Sequence, residues 1–306
     1  MRIFREVEPG ANEADPEALA DLSGLRTNLA GVRAVVAVGS ARGGVGKSGL
    51  IVNLGATLAL AGRKVGIVDA DLNSPSIVAM LGMKPLRRLP ATEGMEPGAG
   101  PLGLRIAASN LLPDGEPPPP SFVDMGEEPA PAASIPGPAE FGYAATLRRL
   151  LGQTRFGTLD FLLIDLAPGI EQLYRITKIV PRAGLVLISH PSELSTRAAR
   201  SALDFAAQSS TAVLGIVENM AGFNCDGCHS VRPLMPQGGL AALAREAGVP
   251  LLGRLPFDPR FAETCDRGVL FVREYADTPL AKQIVALAQM LDHALAARMQ
   301  NELARA

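Results

Sequence analysis

The run Val35-Val36-Ala37-Val38-Gly39-Ser40-Ala41-Arg42-Gly43-Gly44-Val45-Gly46-Lys47-Ser48 decides the fold. An aliphatic strand enters a glycine-rich turn, and Lys-Ser opens a helix. Glycines let successive backbone N–H groups curl around an anion without Cβ clashes. The helix N-terminus adds its free N–H groups and the positive end of its dipole. Gly43, Gly44, Val45, Gly46, Lys47 and Ser48 are therefore read as a phosphate cradle. In such a loop the lysine reaches the β- and γ-phosphates and the hydroxyl ligates Mg²⁺. The strict spacing G-x-x-x-x-G-K-[ST] is missed at one place, where Ala41 stands for the first glycine.

Working outward, two further strands end in acids. Val65–Val68 leads to Asp69 and Asp71, and Leu162-Leu163-Ile164 leads to Asp165. An aliphatic run that delivers one carboxylate suits a Mg²⁺ shell, and a second acid can orient the attacking water. Asp69 and Asp165, with Ser48, are assigned to magnesium and Asp71 to catalysis beside Lys47. A strand-terminal aspartate also caps turns, the competing reading for Asp69 and Asp71.

Short aliphatic runs at Val32–Val38, Val65–Val68, Phe161–Ile164, Leu185–Ile188 and Ala212–Val217 read as strands covered on both faces. Helical patterns fall at Ser48–Ala61, Ala144–Leu151, Glu193–Ala207, Leu240–Ala247 and about Pro279–Ala297. The alternation predicts an α/β fold: a doubly wound, mostly parallel sheet flanked by helices. Residues 1–30 read as a polar arm with one helical turn or two, and 31–300 as a single P-loop ATPase domain. Residues 85–140 hold 13 of the 25 prolines and read as a Pro/Gly-rich, partly disordered insertion. Within it, Leu102–Ala108 is the one candidate strand.

Composition removes several classes. Of the 306 residues, 47% are hydrophobic and 20% charged, as in globular chains. Three cysteines cannot build a disulfide framework. No run is long enough for a transmembrane helix, and the acidic N-terminus lacks the apolar core of a signal peptide. A cytoplasmic protein with free or metal-bound thiols is expected. A net charge of −2 argues against nucleic acid as a partner, and no membrane partner is expected.

Cys225-Asp226-Gly227-Cys228-His229 follows the strand at 212–217. A CxxC can be a c-type haem attachment site, a redox pair, half of a zinc site or half of an iron–sulfur site. Haem attachment needs export, for which there is no signal. The two metal readings need four ligands, and Cys265 stands alone in Glu263-Thr264-Cys265-Asp266. A two-fold dimer supplies four thiolates at its axis.

With these blocks in order, the chain resembles the deviant Walker A ATPases of the MinD/ParA/NifH class. Within that class it is similar to the Mrp/ApbC iron–sulfur carriers. The resemblance spans roughly 32–275. It rests on VGIVDADLNSPSIVAMLG (65–82), LDFLLIDLAPG (159–169), GIVENMAGFNCDGC (215–228) and GVPLLGRLPFDP (248–259). It implies a homodimer that binds ATP with Mg²⁺ and holds a bridging [4Fe–4S] cluster through Cys225 and Cys228 of each copy. That cluster would pass to apo iron–sulfur client proteins. It further implies that Asn219 contacts the adenine, that Pro256 and Asp258 lie near the base, and that position 42 reaches the partner's phosphates.

Departures from the pattern accompany it. The signature lysine is Arg42, and a threonine and an acid of the loop after Asp165 are Ile170 and Gln172. Arginine keeps the charge but not the shape of lysine. An ATPase with low intrinsic activity is therefore expected. Two other outcomes stay open: a MinD/ParA-like positioning switch, and a slow regulatory ATP-binding protein with a structural zinc.

Overall fold

The computed structural model of the chain describes residues 24–84, 95–111, 138–224, 231–236 and 238–305. Nine strands form one sheet. They are β1 (Val32–Gly39), β2 (Val65–Ala70), β3 (Gly98–Ala99), β4 (Arg105–Ala108), β5 (Leu159–Leu166), β6 (Gly184–Ser189), β7 (Val213–Asn224), β8 (Val231–Arg232) and β9 (Leu251–Phe257). The order is β3-β4-β2-β5-β1-β6-β7-β8, and β9 also pairs with β7. All pairings are parallel except β3 with β4 and β7 with β8. This is the doubly wound, mostly parallel sheet that the strand–helix alternation predicts.

The helices are α1 (24–30), α2 (Lys47–Leu60), α3 (Ile77–Met80), α4 (Pro138–Gln153), α5 (Ile170–Ile179), α6 (Glu193–Gln208), α7 (Leu240–Glu246), α8 (Pro259–Asp266), α9 (Phe271–Glu274) and α10 (Pro279–Arg305). The continuous apolar strands have a simple cause: both faces of the sheet are covered. Val36, Val38, Phe161 and Leu163 point into one core with α2, α9 and α10. Their neighbours Val35, Ala37, Leu162 and Ile164 point into the other, with α1, α4, α5 and α6. Period-2 alternation along β1 and β5 thus divides each strand between two cores.

Helix α2 starts at the phosphate turn and is apolar on nearly every side. Eleven of its fourteen residues, Lys47 among them, are buried between the sheet and α10. Asn53 within it donates through Nδ2 to Gly49 O (3.0 Å) and accepts the Val272 N–H at Oδ1 (3.1 Å). That second bond ties the start of α9 to the helix.

The helical turns allowed for the arm at residues 1–30 are α1, whose Leu25 and Leu29 lie one turn apart and are buried in the second core, so the end of the arm belongs to the fold. The candidate strand within the excursion at 85–140 is β4. Ile106, Ala107 and Ala108 are buried beside β2 in parallel register, Ile67 opposite Ile106. The strand starts at Arg105, because Leu102 and Gly103 turn through positive φ (59° and 77°). The excursion also ends inside α4, which begins at Pro138, a residue well suited to a first helical turn. Residues 85–94 and 112–137 lie outside the described residues. The sequence reading had no element for α5, α8, α9 or β9.

β5 sits between β1 and β2 at the centre of the sheet. Leu163→Ala should therefore cost about 2–5 kcal/mol through lost contacts and a cavity. Urea unfolding should show a lower midpoint with an unchanged m-value; a midpoint within error of wild type would contradict this placement.

Candidate functional site

The chain winds from β1 toward β2 on one side and toward β6 on the other, which opens a crevice at the C-terminal end of β1. Open α/β sheets bind ligands at such a reversal. The phosphate turn lies there. Gly44 and Gly46 hold φ of 75° and 78°, the left-handed region where side chains are strained. Gly46 is needed twice over, because a Cβ would fall 2.7 Å from Asn219 Nδ2. The Ser40 carbonyl accepts the Gly169 N–H (2.9 Å), which joins the turn to the β5–α5 loop.

Lys47 is 7% exposed and ion-pairs with Asp165 Oδ1, which is fully buried. The first residue of α2 is thus bound to the last turn of β5 across 118 positions of sequence. Burial raises the Asp165 carboxyl, while Lys47 and Ser48 pull it back. Its Oδ2 is buried with no hydrogen-bond partner. An unpartnered carboxylate oxygen beside the Ser48 hydroxyl fits a hard cation with oxygen ligands. Among the described residues, no cluster of three His, Cys, Asp or Glu side chains is arranged around a metal. Any Mg²⁺ here would therefore draw remaining ligands from water and phosphate, as that ion commonly does.

Asp69 faces Asp165 across the β2–β5 register, and both are fully buried. Burial first, then the neighbouring Asp165, pushes its carboxyl up to about 7, against three backbone N–H bonds. Those bonds come from Asp71 (3.2 Å), Ser76 (2.8 Å) and Ile77 (3.0 Å). Asp69 therefore fastens the 71–77 turn and caps the entry to α3, the capping reading raised for this position. Asp71 is half-buried in that turn.

The second wall of the crevice is β7 with β9. Asn219, 8% exposed, donates through Nδ2 to the Val45 carbonyl (2.8 Å). It belongs to an apolar cleft that Gly46, Leu50, Pro256, Asp258 and Phe261 also line. The three residues expected near a base, Asn219, Pro256 and Asp258, are thus brought together. The Asp258 carboxylate accepts the Arg260 N–H (3.0 Å) as the cap of α8 and is held by the Arg260 guanidinium at 2.7 and 2.9 Å. That guanidinium lies 4.9 Å over the Tyr275 ring. Asp258 shapes the cleft through these bonds.

Arg42 is exposed on the outer side of the turn. Cys225, Cys228 and His229 lie outside the described residues. Cys265 packs its Sγ against Gly49 of α2, and burial followed by the Asp266 charge pushes its thiol up to about 11. The isolated cysteine is therefore a poor nucleophile and ligand.

Sequence reasoning missed other residues. Met220 and Leu255 line the base-side cleft, but only the strand pairing brings them together. His190, just past β6, is held below its usual titration range by burial and then by Arg42. Its Nε2, the Ser40 hydroxyl and Gln172 Oε1 are buried without partners. A histidine after an apolar strand carries no signal of its own; the β1–β6 pairing places it.

The Asp69 shift has a sign. Between about pH 4 and 7 the folded chain keeps a proton on Asp69 that the unfolded chain releases. Its contribution to stability is therefore lost as pH rises through that window. In metal-free protein, stability over pH 4–7 should fall more steeply in wild type than in Asp69→Asn, by denaturant titration at each pH. Parallel curves would contradict the buried, protonated carboxyl.

Comparison with known proteins agrees with this geometry. A family model described as ParA, the NUBPL iron-transfer P-loop NTPases, matches residues 31–118 and 135–292. The iron-sulfur cluster carrier protein of Saccharolobus solfataricus is 34% identical over 267 residues, 86% of this chain and 84% of that protein. The human cytosolic Fe-S cluster assembly factor NUBP2 is 34% identical over 269 residues, 86% of this chain and 94% of that protein. A nucleotide-binding protein of Archaeoglobus fulgidus, solved with ADP, superposes at a TM-score of 0.68 with 31% identity, covering 86% of this chain and 96% of its own. MinD of Aquifex aeolicus superposes at 0.57 with 18% identity, over 85% and 97% of the two chains, a likeness of fold. The phosphate turn, the buried carboxylates and these matches lead to one conclusion: the chain belongs to the NUBPL-type iron-transfer family of P-loop NTPases.

Proposed function

We propose that this chain is an ATP-binding iron–sulfur cluster carrier. It works as a homodimer, holds a bridging [4Fe–4S] cluster through Cys225 and Cys228 of both copies, and delivers it to apo-protein clients. One observation carries the reading. Asn219 of β7 both bonds the phosphate cradle at Val45 and lines the base-side cleft, and Cys225 is the residue after the end of that strand. The curated relatives named as cluster carriers and assembly factors support it.

The residues divide the work as follows. Gly43 to Ser48 wrap the phosphates, and Lys47 exchanges Asp165 for phosphate oxygen when nucleotide enters. Ser48, Asp165 and, once its turn opens, Asp69 would hold Mg²⁺. The ion supplies charge neutralisation for the phosphates. Asp71 orients the attacking water, and Arg42 faces the partner's nucleotide. Asn219, Pro256 and Asp258 seat the base. The cytoplasm is the proposed site of action, with neither nucleic acid nor membrane as partner. Among the described residues no helix is long and apolar enough to cross a membrane.

Anaerobic reconstitution with iron and sulfide should load wild type, and Cys225→Ala/Cys228→Ala should lose nearly all bound iron and its visible absorbance. Equal loading of the two, or zinc in place of iron in anaerobically purified protein, would overturn the reading. Hydrolysis should be slow. Arg42 replaces a compact ammonium, and Gln172 lies in the first turn of α5 with its oxygen buried. Arg42→Lys should raise ATP turnover by roughly tenfold, equivalent to about 1.4 kcal/mol of barrier. Unchanged turnover would acquit Arg42.

A further inference from the structure

Among the described residues, two polar side chains line the base-side cleft, Asn219 and Asp258. They offer a base different things. The Asn219 amide is held by its bond to the Val45 carbonyl and still carries both a donor N–H and an acceptor oxygen. It can serve either purine. A carboxylate only accepts, so Asp258 is the group able to tell one base from another.

Its capacity can be counted. A carboxylate has about four lone-pair sites, two on each oxygen. Oδ1 of Asp258 accepts the Arg260 backbone N–H (3.0 Å) and Arg260 Nε (2.9 Å), and Oδ2 accepts Arg260 Nη2 (2.7 Å). Oδ1 is therefore full, and Oδ2 keeps one site. The side chain is 9% exposed, so water has little access to that site.

Arg260 makes this arrangement rigid. The described lining of the cleft includes Asp258 and Phe261 but not Arg260, which grips the carboxylate from outside it. Its fork bonds both oxygens, a bidentate geometry that fixes the plane of the carboxylate. The guanidinium in turn lies over Tyr275. Tyr275 packs on Phe271 (5.4 Å) and Phe271 on Phe261 (5.3 Å), which returns the chain of contacts to the cleft wall.

The two purines make unequal demands on one acceptor site. Adenine presents a single exocyclic amine beside a bare ring nitrogen. Guanine presents two adjacent donors, N1–H and the 2-amine, which match two adjacent carboxylate oxygens. With one site left, adenine is satisfied and guanine keeps a buried donor without a partner, which is costly.

We infer that Arg260 is the positioning residue for base choice: by filling Oδ1 and half of Oδ2 it leaves Asp258 one acceptor, which takes the 6-amine of adenine and disfavours guanine. This rests on the nucleotide-binding part of the proposed function and names the residue that selects among nucleotides.

The test measures displacement of a fluorescent ATP analogue from full-length protein with Mg²⁺. Wild type should bind ATP at least about fivefold more tightly than GTP, the cost of one buried donor left unpaired. It should bind purine riboside triphosphate, which lacks the 6-amine, weaker than ATP by a similar factor. Arg260→Met keeps the apolar stem and removes the fork, so both oxygens open. ATP and GTP should then bind within about twofold of each other, because the lost penalty was guanine's alone. In that variant GTP should also bind more tightly than inosine triphosphate, which lacks the 2-amine. The ratio between bases is the readout, since general damage to the cleft would weaken every nucleotide alike. Full wild-type selectivity in Arg260→Met would overturn the inference. So would purine riboside triphosphate binding wild type as tightly as ATP, a comparison that stands even where the variant fails to fold. Absence of any binding of the ATP analogue to wild type would instead refute the nucleotide-binding reading, and the inference with it.

Discussion

The buried ion pair between Lys47 and Asp165 is the constraint around which the nucleotide end is organised. Two charges have left water, and neither is tolerable alone at that depth. Removing one partner of such a pair typically costs about 3–5 kcal/mol. The pair joins the N-terminus of the most buried helix to the central strand of the sheet. It also keeps Lys47 inside the fold, 7% exposed, at the crevice. Asp69, one strand over, meets the same low-dielectric pocket without a cation, and burial raises it to about 7. Burial raises both of these aspartates in matched register, and only Asp165 has a lysine to pull it back.

Much of the fold was legible because each buried strand must be apolar throughout. The runs at 32–38, 161–164 and 185–188 could be placed with nothing beyond their composition, since two covered faces leave polar residues only at a strand's start, as at Arg33. The elements that escaped are those whose pattern is short or mixed. In β9, Leu-Leu-Gly-Arg-Leu-Pro-Phe interrupts its apolar run with Arg254, which exists to pair with Glu218. α5 begins directly at the loop after Asp165, so a loop reading overran the helix start. β4 was legible even in its proline-rich context, because Leu102–Ala108 is the one apolar run there, and the structure only trims its start to Arg105.

The site divides along the same line. The phosphate turn is contiguous in sequence, and its chemistry can be read from residue types at fixed spacing. The base cleft is not contiguous: Leu50, Met220, Leu255 and Phe261 meet only after β7 and β9 have paired. Asn219, Pro256 and Asp258 were reached by resemblance rather than by spacing. His190 is the extreme case, since nothing about a histidine after an apolar strand announces a neighbour at Arg42. Asp69 shows that residue type alone leaves two uses open: its carboxylate accepts three backbone amides of the following turn, the capping use, which only the folded loop reveals.

Helix α2 has a consequence for how this molecule moves. With eleven of fourteen residues buried and no solvent face to slide on, it cannot rotate or shift without opening both the sheet and α10. The phosphate turn is therefore seated on the stiffest body among the described residues. In mechanical terms α2 is the anvil: a load applied at its N-terminus passes to the sheet and α10 instead of being absorbed by the helix.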